Sequence, residues 1–204
     1  MVDSEPVTIR VLADMLGELG APLGVDEAAR RFTGHTFVRT LELVSELLGG
    51  PPPPKFAGDY RDRTYAAMER ELKSVEGIEQ ALDQIAIPYC VASNGPHEKM
   101  RKTLGITSLL PRFEGRMFSS ADVARGKPFP DLFLHAACHF SVPPSACLVI
   151  EDSVSGITAA LAAEMTVYGF SGNEMEVEEK LLAAGAHKVF HQMRELPDLA
   201  AGAR

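Results

Sequence analysis

Cysteine, basic charge and long apolar runs are all scarce in this sequence, and each scarcity excludes a class of protein. The 204 residues hold three cysteines, Cys90, Cys138 and Cys147. Their spacing matches no zinc-ligand pattern, and Cys90 and Cys147 lie inside apolar stretches, so buried, reduced thiols are expected. Lys and Arg total 20 against 28 Asp and Glu, a net charge of -8. A surface of that sign repels phosphate-rich polymers and anionic bilayers, which argues against nucleic-acid or membrane partners. A small phosphorylated ligand is still allowed, because it needs only a local positive pocket. No apolar run approaches the roughly 20 residues of a membrane span. The opening Met1-Val-Asp3-Ser4-Glu5-Pro6 lacks the basic and apolar regions of a signal peptide. A cytoplasmic protein is expected, with a monomer as the default.

What is present is enough for a sizeable core: 46% of residues are hydrophobic and 24% charged, ordinary values for a globular chain. From Pro6 to about Lys73 the apolar rhythm is helical. Val7, Val11, Leu12, Met15 and Leu19 recur at helical spacing until Gly20 stops them. Asp26 is placed to cap a short helix ending near Phe32. Another helix spans about Thr36 to Leu48, with Phe37, Leu41, Val44 and Leu48 on one face. Pro51 to Pro54 make a stiff connector, and a further helix covers about Asp59 to Leu72.

After Gly77 the rhythm changes to short strands alternating with helices. Strands are expected at Tyr89 to Ala92, Met117 to Phe118, Cys147 to Ile150, Thr166 to Phe170 and Lys188 to Phe190. Helices are expected at Pro96 to Leu104, Leu132 to Phe140, Val154 to Ala163 and Glu174 to Ala184. This alternation predicts an α/β protein with a parallel sheet covered on both faces. The chain therefore divides into a helical module, residues 4–75, and a Rossmann-like core, residues 76–204.

In open parallel sheets, sites form at the carboxyl ends of the strands, and three polar clusters fall there. Ser93-Asn94-Gly95 precedes a helix that Pro96 can open. It is either an anion cradle built from a hydroxyl and backbone N–H groups, or an ordinary capped turn. Gly126-Lys127-Pro128-Phe129-Pro130-Asp131 holds one lysine on a proline-stiffened turn, with Asp131 placed to cap the next helix. That lysine is either a fixed charge for phosphate or a solvated loop residue. Glu151-Asp152-Ser153 follows the apolar strand Leu148-Val149-Ile150. Two adjacent carboxylates there suit a magnesium ion, which takes oxygen ligands; alternatively Asp152 or Ser153 caps a helix and Glu151 is merely exposed.

A hydroxyl loop, a lysine loop and an acidic pair, each after a strand, supply the groups that phosphoryl transfer through a carboxylate nucleophile needs. At this point the sequence resembles the haloacid-dehalogenase superfamily, in its branch with a helical cap. Val91-Ala92-Ser93-Asn94-Gly95 is similar to its second motif, Gly126-Lys127-Pro128 to its third, and Ile150-Glu151-Asp152 with Gly156 to its fourth. The resemblance implies that residues 4–75 are the inserted cap. It implies phosphate binding by Ser93, Asn94, Gly95 and Lys127, and magnesium held by Glu151 and Asp152. It also implies a substrate-facing cap loop at Gly34, His35 and Thr36, for which a plain glycine turn is the competing reading. Phosphatases and phosphoglucomutases populate this branch. Two short runs, Ala92 to Pro96 and Leu134-His135-Ala136-Ala137, resemble a sugar-acid phosphatase within it.

The family's first motif, Asp-x-Asp-Gly, has no counterpart here, and Met1 to Pro6 resembles the stretch that follows it. The nucleophile, the general acid/base and the first core strand are therefore expected to lie before residue 1. The implied function is magnesium-dependent hydrolysis of a small sugar or sugar-acid phosphate through an aspartyl-phosphate, inactive in the chain as written. A phosphate-binding pseudoenzyme and a sugar-phosphate mutase are the alternatives.

Overall fold

The computed structural model describes every residue except Gly34, Thr36, Asn173, Ala203 and Arg204. Two compact units emerge: residues 1–74 with 102–108, and residues 75–101 with 109–204.

Among the described residues, the first unit holds the helices α1 (Glu5–Glu18), α2 (Val25–Phe32), α3 (Phe37–Leu48) and α4 (Phe56–Glu71), together with residues 102–108. Pro6 sits in the first turn of α1, where its missing N–H costs nothing. Gly20, at φ +84, turns the chain away after the helix. α1 packs against both α2 and α4, which is why it buries Val7, Ile9, Leu12, Met15 and Leu16 around most of its circumference. Asp26 does not cap α2. The cap position is Gly24, and Asp26 lies in the first turn, where its charge favours the helix N-terminus. On α3, Val44 is fully buried but Phe37 is exposed, its ring stacked at 5.9 Å on that of Tyr60. α4 begins at Phe56 rather than near Asp59, because the buried Phe56 ring anchors the first turn.

The second unit opens with α5 (Ile78–Gln84). Its Ile78, Ala81 and Leu82 are buried, although its two turns were too short to stand out in the sequence. There follow in chain order β1 (Val91–Ser93), α6 (His97–Ile106, its residues from Lys102 on grouped with the first unit), α7 (Leu110–Phe113), β2 (Met117–Ser119), α8 (Asp131–His139), β3 (Leu148–Glu151), α9 (Val154–Ala162), β4 (Thr166–Phe170), α10 (Met175–Ala183), β5 (Lys188–Phe190) and α11 (Leu196–Gly202). All strand pairs are parallel, as the alternation predicted. They form two sheets, β1-β2 and β3-β4-β5.

An apolar cluster connects the sheets. Val149 of β3 and Val167 of β4 pack with Ile157, Ala159 and Ala160 of α9, and Ala92 of β1 packs against the same group. The small alanines let α9 lie close to the strands. Among the described residues, no helix is long and apolar enough to cross a membrane.

Candidate active site

The site is assembled at the carboxyl ends of β1 and β3. Lys127, in the loop between β2 and α8, sends its ammonium to both strands: Nζ donates to Ala92 O at 3.0 Å and pairs with the Glu151 carboxylate. It also lies 4.8 Å from the centroid of the Phe133 ring. The Lys127 and Glu151 side chains are only 8% and 7% exposed. Neither the solvated lysine nor the exposed glutamate that the sequence allowed is therefore present. A buried pair of this kind is tolerated only where each charge has partners: Nζ has two acceptors here, and both Glu151 oxygens accept a hydrogen bond. Glu151 Oε2 accepts from Ser153 Oγ at 3.0 Å.

Ser153 does two jobs. Its Oγ accepts from Gly156 N at 3.1 Å, capping α9, and donates to Glu151. Gly156 is required by packing, since a Cβ there would lie 2.0 Å from the Glu151 carboxyl carbon. Asp152, one residue on, is exposed and has no hydrogen bond or ion pair among the described residues.

The Ser93 loop is tied to its neighbours at several points. Ser93 Oγ accepts from Gly95 N at 3.1 Å, which occupies that N–H within the loop. The Asn94 side chain reaches the lysine loop, accepting from Lys127 N at 2.8 Å and donating to Lys127 O at 2.9 Å. Ser119 Oγ donates to Gly95 O and Ser120 Oγ to Asn94 O, both at 2.8 Å. His97 at the start of α6 lies 2.9 Å from both oxygens of Asp122. The Asp122 carboxyl is held below the usual range, first by the Ser119 backbone N–H and then by His97. Ser119, Ser120 and Asp122 carry no signal in the sequence, because each acts from the β2 end on a loop some 25 residues away.

Asp131 does not cap α8. The cap position is Pro130, and the Asp131 carboxylate forms a two-pronged contact with Arg125 at 2.9 and 3.1 Å, which lowers its pKa. Of the cap loop, Gly34 and Thr36 lie outside the described residues, and His35 is exposed. The thiols are less buried than expected: Cys90 and Cys147 are half-buried and Cys138 is exposed.

A magnesium ion needs oxygen ligands, usually one or two carboxylates with water and substrate making up the rest. Asp152 fits, being unpartnered at a strand end. Glu151 fits poorly, since Lys127 and Ser153 already engage its two oxygens. No cluster of three or more His, Cys, Asp or Glu capable of holding a metal occurs among the described residues.

Comparison with known proteins identifies the family. The profile for haloacid dehalogenase-like hydrolases matches residues 1–164. The chain belongs to that family, as its three motifs indicated. It is 32% identical over 201 residues to the 6-phosphogluconate phosphatase of Escherichia coli (strain K12), covering 98% of this chain and 89% of that enzyme. Among solved structures, a conserved haloacid dehalogenase-like protein from Agrobacterium tumefaciens str. C58 superimposes with a TM-score of 0.85 at 34% identity, covering 98% of this chain and 93% of the other. A family hydrolase from Deinococcus radiodurans R1, solved with bound phosphate and sodium, superimposes with a TM-score of 0.81 at 30% identity, covering 99% and 91%.

Proposed function

We propose that the protein is a magnesium-dependent phosphatase acting on a small sugar or sugar-acid phosphate. The observation that carries the reading is the Lys127 ammonium, fixed and largely buried at the strand ends between Ala92 O and Glu151. A preorganised cation in a water-poor site stabilises charge on a transferring phosphoryl group far better than a mobile one. The bound phosphate of the Deinococcus relative and the named substrate of the Escherichia coli relative support the same reading.

In this proposal Lys127 and the Ser93 hydroxyl hold phosphoryl oxygens, with the backbone N–H of Asn94 beside them. Asp152 is the carboxylate that would hold magnesium, which when bound supplies Lewis-acid charge neutralisation. The nucleophile comes from a further parallel strand ending in two aspartates, contributed by residues preceding Met1. Among the described residues β1 pairs only with β2 and β3 only with β4, so each has an edge free for such a strand. The first aspartate forms the new bond to phosphorus as the sugar oxygen leaves with a proton from the second. Water then hydrolyses the acyl phosphate.

The test is release of phosphate from 6-phosphogluconate and a panel of sugar phosphates by two proteins, this chain and the chain extended upstream through that strand. Magnesium-dependent turnover by the extended protein alone is expected. Turnover by the 204-residue chain that is lost on Asp152→Ala would put the nucleophile within these residues and overturn the scheme.

A further inference from the structure

We infer that Asn94 is a positioning residue whose side chain sets the place of Lys127. The inference rests on the phosphate reading of Lys127 and goes beyond it by separating the two ends of that lysine. A lysine side chain has four rotatable carbons and loses much freedom when its charge must be held at one point. Its far end is fixed here by Ala92 O and Glu151. Its near end is fixed by Asn94, whose amide oxygen and nitrogen both engage the Lys127 backbone.

Two further features serve this fork. Ser120 Oγ donates to Asn94 O, holding the Asn94 backbone. Gly126 leaves room for the side chain: a Cβ at Gly126 would sit 2.6 Å from Asn94 Oδ1 and 2.8 Å from Ser120 Cβ. The φ of Gly126 is not in the left-handed region, so close approach, and not backbone conformation, is what glycine supplies there. An asparagine beside a phosphate loop would ordinarily be read as a ligand contact. In this molecule both polar atoms of its side chain are spent on the lysine loop.

The test follows the Lys127 N–H by amide hydrogen exchange in the 204-residue chain. Asn94→Ala should speed its exchange at least ten-fold while amides of β3 and β4 keep their protection. Gly126→Ala, which leaves Asn94 in place but crowds its oxygen, should do the same. Asn94→Asp keeps an oxygen for the Lys127 N–H and should retain most of the protection. In parallel, the Lys127 side-chain NMR signal is followed on addition of inorganic phosphate, where Asn94→Ala should weaken the response about ten-fold.

Unchanged Lys127 exchange in both Asn94→Ala and Gly126→Ala would overturn the inference. So would equal loss in Asn94→Asp, or a loss spread evenly over β3 and β4, which would mean general loosening. A wild-type Lys127 signal indifferent to phosphate would remove the phosphate reading alone, with the fork still decided by the exchange data.

Discussion

Glu151 lies so close over Gly156 that the first turn of α9 has no space for a side chain there, with 2.0 Å between an added Cβ and the carboxyl carbon. Gly156→Ala must therefore displace the carboxylate from Lys127 and Ser153, or push α9 away from β3. Overpacking of this kind costs about 1–3 kcal/mol, and chemical denaturation should report a loss in that range. Gly58→Ala on α4 is the control of opposite sign. A Cβ there meets nothing within 4 Å, and replacing a helical glycine should add about 0.5–1 kcal/mol.

The Lys127–Glu151 pair should show strong coupling in a double-mutant cycle. Lys127→Met leaves the Glu151 carboxylate buried without its cation, a change that costs about 3–5 kcal/mol. Glu151→Gln should be similarly harmful, and the double variant should lose less than the two costs summed. In a protein extended upstream as proposed, Lys127→Ala should also lower kcat/KM by roughly ten-fold to several hundred-fold, taking about 1.4 kcal/mol per decade. An intact fold with near-normal kcat/KM would show that the ammonium serves the sheet and not the substrate.

Acid should expose the contribution of Asp122. Its carboxyl is lowered by the Ser119 N–H first and His97 second, so the unfolded chain binds the proton more readily than the folded one. The stabilisation is then fully present above the ordinary carboxyl value of about 3.9 and is lost as pH falls through the lower, folded value. Melting curves between pH 2 and 6 should show Asp122→Asn less stable than the parent at the upper end. The two should converge at the acid end, and parallel curves throughout would contradict the assignment.

The three thiols should separate by alkylation rate. Cys138 is exposed, whereas burial pushes the Cys90 thiol up to about 11 and raises that of Cys147 as well. At pH 8 only about one Cys90 in a thousand carries the reactive thiolate. Mass spectrometry after brief iodoacetamide treatment should find Cys138 modified first and Cys90 last.

The sequence was most informative where chemistry and periodicity coincided. β3 is legible because Leu148-Val149-Ile150 runs directly into a charged pair. Local caps were read less well. Asp131 and Asp26 both have the composition of caps, yet Arg125 takes the first and Gly24 holds the position before the second. In each case a competing partner or a one-residue offset decided the outcome. Phe37 fits the apolar stripe of α3, but a stacking partner in Tyr60 leaves it at the surface. The Asn94 fork was beyond reach for a plainer reason: its two ends are 33 residues apart, and only the fold brings the Ser93 and Lys127 loops together.

The isolated antiparallel bridge between Val2 and Ser74 closes the helical segment into a loop whose entrance and exit are neighbours. A long excursion that returns to its starting point imposes little on the chain that continues from it, because closing a longer loop adds only slowly to the entropic cost. Such a segment behaves like a graft on a stem. Its helices can be lengthened or reshuffled so long as the face that packs with Ile106, in residues 102–108 of the same unit, is kept.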